Sequence, residues 1–357
     1  MTVVGGQPAR MRADSEWRFI HDPAISARMR LNALSRVTAL VTLTLPGCAF
    51  IVADLNPFAS RPQALEEHVV EGEGKAKILV VDVSQIISDE ERDSALGLGK
   101  QESVVARVSE ELQQATDDDR VKAVVLRINS PGGTVTASDT LYHVVRDFAA
   151  KKQVPVIAQM LDMGTSGAYY VALSADEIIA QPTTVTGSIG VIMFGLNVQG
   201  LLDKVGVKNQ TLKAGANKDI GSPLREMTPE ERQILQAVLD DMRGRFVQLV
   251  HERRPDANPE SFSAVTDGRI VIAGQALQAG LIDRIGYLDD AISIAKQRAG
   301  LTEARVILYR RGNEFSENVY SRAGTAPAQV NLINFDLSAL AGHGPSFLYL
   351  WQPQLGE

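Results

Sequence analysis

Cysteine and histidine are scarce in this 357-residue chain, and that scarcity removes several chemistries. The single cysteine, Cys48, excludes an intramolecular disulfide and a multi-cysteine zinc site. The five histidines (His21, His68, His143, His251 and His343) are far apart and show no HExxH spacing, which argues against a zinc hydrolase. Excess basic charge is also missing. Lys and Arg total 36 against 43 Asp and Glu, a net charge of −7, so the chain lacks the basic surface that general nucleic-acid binding requires. No Gly-Lys-Ser/Thr completes a phosphate loop. No feature calls for a metal or an organic cofactor.

Hydrophobic residues make up 45% and charged residues 22%. That balance supplies a buried core and excludes wholesale disorder. The length allows two modest domains or one large one. One long uncharged run stands out, residues 37–53 (VTALVTLTLPGCAFIVA), behind Arg10, Arg12, Arg18, Arg28, Arg30 and Arg36. At 17 residues it is at the short limit for a membrane span, and Pro46 and Gly47 interrupt it. Basic residues before it and acidic ones after it place the main domain across the membrane from the N-terminus. From Met29 onward the same stretch resembles a bacterial lipoprotein signal, with Leu45-Pro46-Gly47-Cys48 as the lipobox and Cys48 as the lipidation candidate. A plain membrane anchor is the alternative. Residues 1–54 are therefore read as a signal or anchor segment, 55–76 as a Pro- and Gly-containing linker, 77–311 as the folded domain and 312–357 as a C-terminal extension.

Within the folded domain, residues 77–83 (KILVVDV), 121–128 (VKAVVLRI), 154–160 (VPVIAQM) and 178–180 are apolar runs that predict buried strands. Helical patterns at 102–116 and 137–150 separate them. Strands and helices in alternation predict βαβ units around a parallel sheet covered on both faces, an α/β fold. Residues 228–254 predict a long helix, with Thr228 as N-cap, Pro229 in the first turn and Glu231 completing a capping box. Its core stripe is read as Ile234, Leu235, Val238, Leu239, Met242, Phe246, Leu249 and Val250. Further helices are expected at 274–280 and 289–298, and a last strand at 304–309.

Four glycine-rich junctions follow these apolar segments. Asn129-Ser130-Pro131-Gly132-Gly133 is either a plain strand-to-helix turn or a set of exposed amides suited to an anionic oxygen. Met163-Gly164-Thr165-Ser166-Gly167-Ala168-Tyr169-Tyr170 carries a serine among small residues. That serine is either a helix N-cap or a nucleophile at a sharp turn. Thr186-Gly187-Ser188-Ile189-Gly190 alone reads as a turn. Gly215-Ala216-Asn217-Lys218-Asp219-Ile220-Gly221-Ser222-Pro223 holds a lysine that alone reads as a solvated loop residue. No histidine lies beside any junction, so a nucleophilic serine here would need lysine as its base. A lysine with a pKa near 10.4 is only about 0.04% neutral at pH 7, so such a base must be desolvated.

In this order, the junctions resemble the signal peptide peptidase A family of serine–lysine proteases, over roughly residues 77–290. Asp267-Gly268-Arg269-Ile270 and Ala276 to Asp283 fit the same pattern, and Lys218 follows Ser166 by 52 residues as in short, single-repeat members. The resemblance implies a ClpP/crotonase-like fold of repeated βαβ units. It implies Ser166 as nucleophile, Lys218 as general base and Ser188 as the residue that orients the lysine. It also implies an oxyanion hole from the amides of Gly132 or Gly133 with Gly167. The implied partners are cleaved signal peptides, other unfolded chains and further copies of the chain, in a ring or dome whose active sites are completed at subunit interfaces. The implied location is the bacterial cell envelope, catalytic domain on the extracytoplasmic side. The C-terminal extension lies outside the resemblance, and its apolar end, residues 347–351, is a candidate occupant of a substrate groove. Two other readings are a crotonase-type acyl-CoA enzyme, for which Asp162 is the only carboxylate close before Ser166, and a non-catalytic oligomeric scaffold that binds membrane proteases or unfolded chains.

Overall fold

Apolar β-branched runs form the centre of the sheet, as the sequence predicts, and they run longer than their apolar cores. The computed structural model describes residues 64–93, 100–257, 259–312, 318–320 and 347–351. The 37–53 run and Cys48 lie outside the described residues. Strand β1 (Leu65–Glu71) precedes β2 (Lys77–Ile87), a small hairpin of β3 (Arg92–Asp93) and β4 (Lys100–Gln101), and helix α1 (Val104–Asp117). Then come β5 (Val121–Thr134), α2 (Val135–Lys152), β6 (Val156–Thr165), α3 (Gly167–Ala172), β7 (Glu177–Ala180), β8 (Val185–Gly187) and β9 (Ile192–Met193). The remainder comprises α4 (Gln199–Lys204), α5 (Pro229–Arg253), α6 (Pro259–Val265), β10 (Ile270–Ile272), α7 (Ala273–Gln278), β11 (Arg284–Ile285), α8 (Leu288–Arg298), β12 (Arg305–Arg311) and β13 (Phe347–Leu350).

The main sheet has the order β1-β12-β2-β5-β6-β7-β11, parallel from β12 to β11, with β1 antiparallel on the edge. Alternation along the strands sorts the core into two layers. Leu79, Val81, Val83, Val124 and Leu126 pack with Val108 and Leu112 of α1, Leu141 and Val145 of α2, α3, and Phe246 and Val250 of α5. Ile78, Val80, Ala123 and Val125 face the other way, against Leu288, Ala291, Ile292 and Ala295 of α8. The parallel sheet is thus covered on both faces.

Four expectations change. Residues 65–71, read as linker, form β1, whose Glu67 pairs with Lys77; Lys77 also bonds Asp118 at 2.7 Å. An edge strand that is polar on one side carries little of the apolar signal by which strands are found. The Asn129–Gly133 junction is strand rather than turn, because β5 runs on to Thr134. On α5 the capping box is present, with the Thr228 hydroxyl accepting from Glu231 N–H at 3.1 Å. Its buried positions, however, are Glu231, Leu235, Phe246, Leu249 and Val250, while Ile234 is exposed. Glu231 is buried because Arg225 and Thr228 bind its carboxylate. Finally, the far end of the extension forms β13, which pairs with both β5 and β9.

Beneath the sheet lies a charge network that the sequence did not announce. Asp82 on β2 accepts from Arg127 on β5 at 2.5 and 2.7 Å and from Arg310 on β12 at 2.7 Å, all three groups buried. Burial pushes the Asp82 carboxyl up, but the two guanidinium groups outweigh it and hold the pKa below the usual range.

Candidate active site

Three strand ends meet where the glycine-rich junctions lie. β6 pairs along its first half with β7 and at its end with β8, placing Thr165 opposite Gly187. The next residue of each strand is a serine, so Ser166 and Ser188 emerge side by side. Both have a left-handed backbone, φ 52° in each case. For a non-glycine residue that conformation costs on the order of 1–3 kcal/mol and persists only where neighbours enforce it. Enforcement is visible. Ser166 N–H donates to Gly187 O at 2.8 Å, Tyr170 N–H donates to Ser166 O at 2.9 Å, and Ser188 N–H donates to Arg269 O at 2.7 Å. Ser166 sits at the N-cap position of α3, yet its side chain makes no capping hydrogen bond. It is therefore not an N-cap serine in the energetic sense, and its hydroxyl is not committed to the helix. Ser166 and Ser188 are both buried.

Beside Ser166 the Gly132–Gly133 end of β5 approaches the start of α3. A Cβ on Gly132 would stand 2.7 Å from Gly167 N, and a Cβ on Gly167 would stand 3.1 Å from Gly133 N. The two amide sources are thus together. Their roles separate, however. Gly132 N–H donates to the Ser130 hydroxyl at 3.1 Å, and that hydroxyl donates in turn to Gln85 O. Gly132, at φ 105°, serves by turning the backbone and by having no side chain. The amides of Gly133, on the residue opposite Tyr349 of β13, and of Gly167 lie beside each other at this corner. Asn129 ties the junction down from the other side, its Oδ1 accepting from Met163 N–H at 3.1 Å.

Lys218 stands apart. It lies in the segment between β9 and α5, is exposed, and has no side-chain bond to Ser166 or Ser188 among the described residues. The turn around it is well held: Lys218 N–H donates to Gly215 O at 3.2 Å, and Asp219 is bound by Lys213 at 2.6 Å and Arg225 at 2.7 Å. Those hydrogen bonds, Arg225 first, hold the Asp219 carboxyl well below its usual range. Arg225 also binds Glu231, holding that carboxyl down at about 2 and fastening the turn to the start of α5. The same segment exposes Leu196, Leu201, Val205, Val207 and Leu212.

Sequence reasoning missed the aromatic wall. Tyr170 stacks on Tyr349 of β13 (5.4 Å between ring centroids, 22° between planes), and Phe246 of α5 lies 4.8 Å from Tyr349 and 5.0 Å from Tyr170. Tyr170 OH donates to Asp139 at 2.7 Å, which also accepts from Arg245 at 2.6 Å. Burial raises the Asp139 carboxyl, but these two bonds win and lower it. Tyr170 was visible as part of its junction; nothing in the local pattern joined it to Phe246 or Tyr349. Among the described residues, no cluster of His, Cys, Asp and Glu is placed to hold a metal ion.

Comparison with known proteins bears on the family and the fold. Residues 149–302 match the model of peptidase family S49, and residues 79–186 match that of the Clp protease family. A protein of Enterococcus faecium named as the signal peptide peptidase SppA is 34% identical over 255 residues, covering 71% of this chain and 72% of its own length. A protein of Synechocystis sp. named as a protease is 41% identical over 195 residues, covering 55% and 69% respectively. Among solved structures, a ClpP1 mutant from Listeria monocytogenes aligns over 60% of this chain and 94% of its own, at 19% identity and a TM-score of 0.38. With its α/β sheet of ClpP/crotonase-like type, the chain belongs to the signal peptide peptidase A family, and it is a serine peptidase of family S49.

Proposed function

We propose that this chain is a membrane-tethered endopeptidase that hydrolyses cleaved signal peptides and other unfolded chains through a Ser166–Lys218 dyad. The observation that carries this reading is the posture of Ser166: a buried serine at φ 52°, free of any capping bond, beside the amides of Gly133 and Gly167. Its Oγ attacks the scissile carbonyl while Lys218, as neutral amine, takes the proton and later returns it to the leaving amine. The Gly133 and Gly167 amides stabilise the oxyanion that forms. Ser188, next to Ser166 and at the same φ, orients the lysine amine. Lys218 is far too exposed for this role within one chain, so a second copy brings it to Ser166, with the apolar segment between β9 and α5 buried in the contact. The tether is the basic and apolar N-terminal stretch, by transmembrane anchor or by lipidation of Cys48, with the catalytic domain outside the cytoplasm.

The test is hydrolysis of an unstructured apolar peptide from about pH 6 to 10 by wild type, Ser166→Ala and Lys218→Ala. Each variant is expected to lose at least about 10³-fold in kcat/KM with its melting temperature kept. Equal rates for wild type and Ser166→Ala would remove Ser166 from the chemistry.

A further inference from the structure

Strand β5 slips out of register with both neighbours just before it reaches the site. On the β2 side Ser84 pairs with Asn129 but Ile86 pairs with Gly132, so Ser130 and Pro131 together stand opposite Gln85. On the β6 side Ile128 pairs with Met160 but Ser130 pairs with Gly164, so Leu161, Asp162 and Met163 stand opposite Asn129 alone. Bulges of this kind take main-chain groups out of the ladder and re-aim the strand beyond them, and they gather next to active sites. Two of them at one point, on opposite edges of one strand, leave main-chain groups to be satisfied by other means.

Each gap is spanned by a β5 side chain. Asn129 Oδ1 accepts from Met163 N–H at 3.1 Å, inside the β6 bulge. Ser130 spans the other. Its hydroxyl, fully buried, donates to Gln85 O and accepts from Gly132 N–H at 3.1 Å. Pro131, beside it in the bulge, has no N–H to leave unpaired. The Gln85 carbonyl is brought to Ser130 by a left-handed backbone, φ 66°. Among the described residues, Gln85, Ser166, Ser188 and the helix-ending Gln153 are the non-glycine residues at positive φ. Three of these four belong to this one corner, and backbone strain enforced by its surroundings clusters at functional sites. The residues directly after the two side chains have little slack: a Cβ on Gly132 would stand 2.7 Å from Gly167 N, and a Cβ on Gly133 would fall on Ile87 O.

We infer that Asn129 and Ser130 are positioning residues of the peptidase. Their side chains stand in for ladder bonds at the two opposed bulges and so fix the direction of the Gly133 amide. The inference rests on the Ser166 reading above and adds the groups that hold its oxyanion donors in place. Ser130 acts through Gly132 N–H. Asn129 acts through Met163 N–H, on the strand that leads to Ser166. Without the Ser130 hydroxyl, Gly132 is free to turn, and the next amide turns with it. The penalty falls on the transition state, where the substrate oxygen carries charge, and spares the bound substrate, where it does not.

The experiment sets full-length Ser130→Ala and Asn129→Ala beside wild type and Ser166→Ala. It reads kcat and KM on an unstructured apolar peptide, and the inhibition constant of a peptide aldehyde, whose adduct with a serine carries the oxyanion. Ser130→Ala is expected to lose about 10²-fold in kcat with KM held within about twofold, and to bind the aldehyde more weakly by the same factor as its loss in kcat. Asn129→Ala, at a half-buried position, is expected to move the same quantities in the same direction, and it decides the matter if Ser130→Ala does not fold. A folded Ser130→Ala with wild-type kcat and aldehyde affinity, beside an inactive Ser166→Ala, overturns the positioning role and leaves the nucleophile standing. A lower melting temperature and a raised KM with kcat kept also overturn it, since a merely structural role gives that pattern. Ser166→Ala as active as wild type overturns both readings together.

Discussion

Gly167 shows how little room the site has. Its backbone is not left-handed, so the glycine is not there for conformational freedom. It is there for space: a Cβ would stand 2.3 Å from Ser138 Oγ, which is buried and donates to Thr134 O at 2.9 Å. Gly167→Ala must push α3 away from α2, and the Gly167 amide moves with it. Overpacking of this kind costs about 1–3 kcal/mol of stability, and a displaced oxyanion donor costs about 10²-fold in rate. Expected, then, is a folded variant with a modestly lower melting temperature and kcat/KM down by about that factor. An unchanged kcat/KM in a folded variant would take the Gly167 amide out of the mechanism. At this scale the residues alone marked the Asn129–Gly133 junction as a turn or a set of bare amides and Ser166 as an N-cap or a nucleophile, while Ser188 and the pairing of the Gly132, Gly133 and Gly167 amides were legible only through the family resemblance. What could not be read was which amide is spent locally, because the Ser130 bond to Gly132 N–H depends on the path of the chain and not on its pattern.

Elements are stitched together by buried charge. Arg107 on α1 reaches Asp82 O on β2 at 2.7 Å and binds Glu111 Oε1 at 2.8 Å, so the helix is tied to the sheet through the same locus as Arg127 and Arg310. Glu111 is fully buried, and its Oε2 has no hydrogen-bond partner among the described residues. Burial, aided by the nearby Asp82 charge and opposed by Arg107, pushes its carboxyl up to about 7. A carboxyl whose pKa is higher folded than unfolded binds its proton more tightly in the native state. The stability this gives is fully present below about pH 4.5 and is lost as pH rises through about 7, on the order of 3 kcal/mol in all. Glu111→Gln, a permanent mimic of the protonated side chain, is expected to flatten that loss. Denaturant unfolding of both proteins between about pH 5 and 8 checks it. Parallel stability curves would sink the idea. The strands themselves were legible because buried parallel strands are continuously apolar. The edge strand β1 and the tail strand β13 were not, because both owe their strand state to a partner distant in sequence. Glu231 was legible as the capping-box partner of Thr228 but not as a buried residue, for a related reason: charge is buried where Arg225 meets it, and that meeting is tertiary.

A serine without its base is the question left at the scale of the whole molecule. Ser166 is buried and Lys218 exposed, and the segment carrying Lys218 displays Leu196 at 70% and Leu212 at 97% exposure. An apolar, well-braced arm is costly for a lone chain to show to water and suits contact with another copy. If the dyad forms across that contact, the two residues need not come from the same polypeptide. Ser166→Ala subunits retain a good lysine and Lys218→Ala subunits retain a good serine. Each variant alone has no complete site. Mixed after dissociation and reassembled in equal amounts, about one heterologous contact in four pairs an intact serine with an intact lysine, so peptidase activity is expected to return to about a quarter of wild type. A dyad formed within one chain gives no recovery at any mixing ratio. Rate measured against mole fraction therefore separates the two arrangements without a structure of the assembly. Its curve is the product of the two fractions for a site shared between subunits and flat at zero for a site within one.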